Sequence, residues 1–413
     1  MRRTTEGLST TTGTLPQTLT TLSYKVANIL YNRSHIHPIM EFSRSADDSL
    51  ANPAHELTKE VSSVRPGVFK AHIQELCNVL QDQAPRPGRP NEADALDSLK
   101  ACASFAKRFP KEVSKDPNFI QAMTQFALRG TPAATAKYAT SIIMSVPDKK
   151  ELRMNDLLKQ CTTSFTYGSE HFMARLATLS QLMLLAATSL EETADVDPVI
   201  DIAIEQVLLA NRISPSTEDP DWNPQPDEEC EAKTWALKLL VNRLRSYDSA
   251  EKAKEAATPV YKLLNKLVVN EGELTATSST PKPHRSWLHM QAAIQLLKLS
   301  TTHNFDEYLT PRSFNTLATV AQASLLPVRQ GFVNKVQKYL GQDRLPSRFY
   351  TTIFLLTFEP NRKLRQDATT WLKARAQLAT KAKKTTFETT FFRLLSLLAH
   401  PPTAPSLDRP LHH

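Results

Sequence analysis

The chain has 413 residues with 50 Lys and Arg against 42 Asp and Glu, a formal net charge of +8, 41% hydrophobic residues and only 9 Gly. That length allows either one large interior or a stack of repeats, but so little glycine argues against nucleotide-binding α/β folds, whose tight phosphate-cradling turns consume it. The four cysteines, Cys77, Cys102, Cys161 and Cys230, are far apart and form no Cys-x-x-Cys pair, so neither a disulfide framework nor a usual zinc site is expected, and a reducing compartment is.

In chain order, residues 1–21 are Thr-rich with Arg2 and Arg3, lack the apolar core of a signal peptide, and are expected to be disordered. No later stretch offers about 18 uncharged apolar residues, so no membrane partner is expected. Asn32-Arg33-Ser34 matches a glycosylation sequon that has no meaning without secretion. His35-Ile36-His37 lacks the further ligands a metal would need, so no metal site is assigned there.

From residue 22 to 400 the pattern is helical. Ala84–Pro90 (APRPGRP) reads as a loop, Phe119–Arg129 as a helix, and Ala136–Val146 (AKYATSIIMSV) as a helix that starts after Pro132. Ala174–Ala187, Val199–Leu209, Ala232–Leu244, Pro259–Val269, Leu288–Leu299 and Arg312–Ser324 follow. The acidic, Pro-rich segment 214–231 and the stretch Thr275–His284 interrupt them as loops. The acidic segment, carrying Pro215, Pro220, Pro224 and Pro226, is expected to project as a mobile insertion.

The clearest periodicity lies near the C-terminus. In VRQGFVNKVQKYL, Val328, Phe332, Val336 and Leu340 recur every fourth residue behind Pro327, and LRQDATTWLKAR places Leu364, Ala368, Trp371 and Leu372 on one face. Both helices open on an aliphatic-Arg pair, Val328-Arg329 and Leu364-Arg365, 36 residues apart. That layout is typical of the second helix of a HEAT repeat, with Ser347–Phe358 and Phe387–His400 as partner helices. The fold expected is all-α, a HEAT-type helical repeat solenoid over 22–400, with 401–413 a disordered tail. Trp235, Trp287 and Trp371 read as packing residues.

The common nucleophile elbow, phosphate-loop, dinucleotide and His-Glu-x-x-His signatures are missing, so no catalytic residue, cofactor or metal is assigned and the chain is read as a non-enzyme. Charge is uneven: against the acidic insertion stands 361–384, with Arg362, Lys363, Arg365, Lys373 and Arg375 among its cations. A basic surface there would suit nucleic acid or an acidic protein segment, and a nucleic-acid-binding repeat protein is the alternative reading.

Several segments, in order, give the chain a family resemblance. Ile29–His35 (ILYNRSH), Ala54–Cys77 (AHELTKEVSSVRPGVFKAHIQELC), Ala136–Ala139 (AKYA), AKTWALKLLVNRL, the Glu271-Gly272-Glu273-Leu274-Thr275 turn, VRQGFVNKVQKYL with Arg344–Tyr350 (RLPSRFY), and Leu397–Pro402 (LLAHPP) resemble the precocious-dissociation-of-sisters family of cohesin-associated sister chromatid cohesion regulators. The chain looks like the central portion of that longer family. The resemblance implies a nuclear, non-catalytic HEAT-repeat regulator that binds cohesin through its kleisin subunit, cooperates with a Wapl-type release factor, and meets chromatin through cohesin. On this resemblance the family's Wapl-docking N-terminal elements are not placed on any residue of this sequence. The resemblance places the kleisin surface on the AKYA helix, at Lys137 and Tyr138, where a Tyr offers a large contact at low entropic cost and a Lys pairs with acidic side chains.

Overall fold

The computed structural model describes residues 36–42, 53–54, 57, 61, 66–185, 196–247, 250–275 and 279–399. The expectations for 1–21, for the sequon and for the tail 401–413 lie outside these residues, as does His35. Among the described residues the chain is helical with no strand, its one β-bridge joining Arg86 and Arg89 in the expected Ala84–Pro90 loop. The fold is all-α, of the HEAT-like repeat kind, and it divides into two compact units, 1–153 and 154–413.

The first unit holds α1 (Ile36–Phe42), α2 (Ile73–Asp82), α3 (Ala95–Arg108), α4 (Pro117–Arg129) and α5 (Ala133–Ser145). Asp116 caps α4, its carboxylate accepting from the Asn118 N–H at 3.2 Å, and Pro117 takes a first-turn position that needs no donor. α5 packs on both α3 and α4. Ala136, Ile142, Ile143 and, just past its end, Val146 line its buried side, all within 1% of full burial. α2 and α3 were not read from the sequence as helices. Their apolar faces, Leu76, Cys77 and Leu80 on one and Leu99, Cys102, Phe105 and Ala106 on the other, alternate with Asn, Gln, Asp and Lys in short amphipathic runs.

α6 (Lys150–Thr162) runs across the point of division. The second unit then pairs helices in sequence: α7 (Phe172–Leu185), α8 (Val196–Asp201, continued by a π-helical turn to Leu208), α9 (Glu228–Ser246), α10 (Ala250–Val269) and α11 (Lys282–Leu299). After the short α12 (His303–Asp306) come α13 (Pro311–Thr319), α14 (Leu326–Gly341), α15 (Tyr350–Phe354, with 3-10 turns on either side), α16 (Arg362–Lys381) and α17 (Thr386–Ala399). α9 packs on α7 and α11, α11 on α10 and α14, and α15 on α17, so each helix buries its apolar face against the next pair.

α9 and α11 are buried nearly all round, and two polar residues of α9 are held by partners on neighbouring elements. Asn242 of α9 donates to the Ser180 carbonyl of α7 at 2.7 Å and accepts from Lys298 of α11 at 2.5 Å, a polar rung across three helices. At the other end of α9, fully buried Lys233 pairs with Glu229 at 3.0 Å and donates to Asn211.

Three sequence expectations change: the loop expected over Thr275–His284 ends earlier, because Pro283 takes a first-turn position in α11, which opens at Lys282. α10 starts nine residues before Pro259 and continues through it, because Ala253, Ala257, Tyr261 and Leu264 bury one face on both sides of the proline. The acidic segment is also shorter than 214–231 and does not project. Residues 228–231 are the first turn of α9, capped by Asp227, whose carboxylate accepts from the Cys230 N–H at 2.9 Å. Residues 217–223 lie along α11: Trp222 stacks on Trp287 at 4.7 Å, Trp287 donates to the Asn223 carbonyl at 2.7 Å, and Ser286 donates to the Asp221 carbonyl at 2.6 Å. Four prolines stop the segment from being helical, but they do not stop it from packing.

Candidate partner-binding surfaces

α5 presents an outward row. Ala134, Lys137, Tyr138, Ser141 and Ser145 are its partly exposed positions, spaced by three and four residues and so aligned on one side of the helix. Three of the five are small. The Ser141 hydroxyl donates to the Lys137 carbonyl at 3.0 Å and the Ser145 hydroxyl to the Ser141 carbonyl at 2.7 Å, so both lie flat on the helix. What stands up from the row is the Tyr138 ring with the Lys137 ammonium 4.9 Å from its centroid, an aromatic and a cation held side by side. At 100° per residue Lys137 and Tyr138 turn about 100° and 200° from buried Ala136, and both are part-exposed in the structure.

The entry to this helix is fixed from a distance. The Asn91 side-chain amide brackets Thr131, donating to its carbonyl at 2.8 Å and accepting from its N–H at 2.7 Å. The Thr131-Pro132 peptide is cis. Gly130 just before it has no room for a side chain: a Cβ there would lie 2.2 Å from the Thr135 hydroxyl and 2.5 Å from the Phe126 carbonyl. Asn91 is 40 residues from Thr131, so no local pattern could reveal the bracket.

The five cations assigned to the basic surface all fall on α16 or its start, but they are not equivalent. Arg362, Lys363 and Lys373 are exposed. Arg365, though exposed, donates to the Glu359 carbonyl at 2.7 Å. Arg375 turns inward: it donates to the Tyr350 hydroxyl at 3.2 Å and the Leu340 carbonyl at 3.3 Å, and pairs with Asp343 at 2.8 Å. Burial lowers the guanidinium, but the Tyr350 hydroxyl and then the Asp343 carboxylate outweigh it and hold the group above the ordinary Arg range. Arg375 ties α14 to α16 and does not belong to an outward basic face. Of the tryptophans, Trp235 is buried, while Trp287 and Trp371 are half-buried and pack on Trp222 and Tyr350.

The remaining groups with chemical potential are internal. Burial pushes the Cys161 and Cys230 thiols up to about 12, which leaves negligible thiolate near neutral pH. Among the described residues no cluster of His, Cys, Asp and Glu has the makings of a metal site, and no helix is long and apolar enough to cross a membrane.

Stacked helix pairs that display side chains for contact define a helical-repeat scaffold. The family model described as "Sister chromatid cohesion protein PDS5 protein" matches residues 1–412, and the chain belongs to that family. It is 25% identical to the sister chromatid cohesion protein pds5 of Schizosaccharomyces pombe, over 93% of this chain and 31% of that protein. It is likewise 25% identical to PDS5 of Saccharomyces cerevisiae over 92% of this chain and 31% of that protein, and 26% identical to human PDS5 homolog A over 60% of this chain and 18% of that one. The chain thus spans about a third of the length of the two yeast relatives.

Proposed function

We propose that this chain is a non-catalytic scaffold that binds cohesin through its kleisin subunit and so takes part in maintaining and releasing chromatin-bound cohesin. The observation that carries the reading is the outward row of α5. A Tyr ring and a Lys ammonium stand together above small neighbours, on a helix whose opposite face is fully committed to the core. A kleisin helix that laid an apolar side chain on Tyr138 and an acidic one beside Lys137 would use the rigid aromatic anchor and charged rim common to protein interfaces. Membership of a family named for sister chromatid cohesion supports cohesin as the partner. In this reading a Wapl-type release factor acts on the same assembly, the nucleus is the site of action, and contact with chromatin runs through cohesin.

Direct binding of nucleic acid through α16 is the weaker reading, because two of its five assigned cations, Arg375 and Arg365, are engaged within the protein, leaving Arg362, Lys363 and Lys373 of that set to meet phosphates. Purification of the tagged chain from nuclear extract, with the bound subunits identified, tests the proposal. Recovery of the kleisin with its cohesin partners is expected, surviving nuclease treatment. Recovery of DNA-dependent proteins alone, lost on nuclease treatment, would contradict it.

A further inference from the structure

The segment between α8 and α9 carries an accessible hydroxyl in an unusual setting. Residues 212–218 are exposed, and Ser216 closes a small turn with Asp219: the Ser216 N–H donates to the Asp219 carboxylate at 2.8 Å, the Asp219 N–H to the Ser216 carbonyl at 3.3 Å, and the Glu218 N–H to the Ser216 hydroxyl at 3.2 Å. Hydroxyl and carboxylate therefore face the same small space. Glu218, Asp219 and Asp221 stand two, three and five residues after Ser216.

This turn is one end of a strap. Lys282 at the start of α11 donates to the Thr217 carbonyl at 3.1 Å and the Asp219 carbonyl at 3.4 Å, and beyond it come the Ser286 bond to Asp221 and the Trp222–Trp287 stack. Arg212, four residues before Ser216, is occupied, lying 3.6 Å above the Tyr167 ring and donating to the Gln206 carbonyl.

We propose that Ser216 is a phosphoacceptor site for an acid-directed protein kinase, and that the phosphate unlatches the strap 216–223 from α11. An exposed serine outside any helix, followed by carboxylates, is the substrate form that a kinase with a basic groove reads. In the transfer the Ser216 Oγ bonds to the γ-phosphorus of ATP, the bond from that phosphorus to the oxygen bridging the β-phosphate breaks, ADP leaves, and the hydroxyl proton passes to the kinase's catalytic carboxylate. The product places nearly two negative charges in the turn that already holds the Asp219 carboxylate, so like-charge repulsion opens it. Opening the turn draws the Thr217 and Asp219 carbonyls away from Lys282, which removes the tether that aligns Trp222 on Trp287.

The test uses the whole chain, ATP and an acid-directed serine/threonine kinase, with the modified residue mapped by mass spectrometry and the tryptophan stack followed by near-ultraviolet circular dichroism. One phosphate on Ser216 is expected, absent in Ser216→Ala, and slowed roughly tenfold in Asp219→Asn, the loss of one charge-assisted contact to the kinase. The near-ultraviolet tryptophan signal should fall on phosphorylation towards that of Trp222→Ala, with the far-ultraviolet helical signal unchanged. Phosphate carried by Ser214 or Thr217 with Ser216→Ala modified normally, no incorporation into the native chain, or an unaltered tryptophan signal after full incorporation would each overturn the proposal.

Discussion

Arg329 and Glu359 meet in a two-pronged ion pair inside the second unit, Nε to Oε2 at 2.8 Å and Nη2 to Oε1 at 3.0 Å, with both side chains at or below 10% exposure. Arg329 also donates to the Ala323 carbonyl at 2.6 Å and the Ser324 carbonyl at 2.9 Å. Thirty-six residues on, Arg365 donates to the Glu359 carbonyl, the same six-residue step back that joins Arg329 to Ala323. The aliphatic-Arg pair at the head of each helix is thus one device used twice, closing the turn that leads into the second helix of a repeat.

Removing one partner of the buried pair leaves the other charged and unpaired in the interior. Arg329→Ala and Glu359→Ala should each lower stability by about 3–5 kcal/mol, whereas replacing both with apolar residues of similar volume should cost far less. Urea denaturation of the single and double variants measures the difference, and equal losses from single and double replacement would show that the pair is not the source.

Gly272 sits at φ +92° in the Glu271–Thr275 turn, where a Cβ would fall 1.9 Å from the Arg285 carbonyl oxygen. Gly272→Ala should cost about 1–3 kcal/mol by combining backbone strain with displacement of the first turn of α11. Thermal denaturation checks it against Gly88→Ala, a position with a similar positive φ and nothing near its Cβ, which should lose less.

Glu273 gives a pH dependence. Burial raises its carboxyl, but the hydroxyls and N–H groups of Thr280 and Thr275 outweigh that and hold it below the ordinary glutamate range. A carboxyl depressed on folding contributes stability that is full above its unfolded value and lost as pH falls through the folded one. The stability gap between the parent chain and Glu273→Gln should therefore be constant from pH 7 to about 5 and shrink below about 4. A gap independent of pH would contradict the assignment.

Exchanging 216–223 for a Gly/Ser linker should destabilise the second unit, since the exchange removes the tryptophan stack and disturbs four bonds to α11. A loss of about 1–3 kcal/mol is expected. Unchanged thermal stability would restore the picture of a free insertion.

That last point marks where the sequence stops being legible. Amphipathic periods located α4, α5, α7, α9, α14 and α17 to within a few residues, because their buried residues recur at a spacing of three and four, while α11 starts and α16 ends six residues beyond the period read for it. The 36-residue echo located the repeat. The start of α10 was hidden by Pro259, which reads as a first-turn residue when tertiary burial is unseen. The acidic strap was hidden because its own carbonyls are held by the Lys282, Ser286 and Trp287 side chains some 65 residues away, contacts that leave no local pattern. The cations of α16 looked alike in sequence, and only the placement of Tyr350 and Asp343 separates Arg375 from the outward ones. Lys137 and Tyr138 were legible as an outward pair, since the helical wheel alone turns them about 100° and 200° from Ala136.

The most direct test of the account is a titration of the purified kleisin subunit against the parent chain and against the Lys137→Glu/Tyr138→Ala variant, with helical content and melting temperature measured on the same samples. Both side chains are part-exposed and the core stripe is untouched, so the variant should stay folded. Its affinity should fall by about 2 kcal/mol, roughly thirtyfold, the scale of an interface hot spot. A folded variant that binds the kleisin as tightly as the parent would contradict the assignment of this surface.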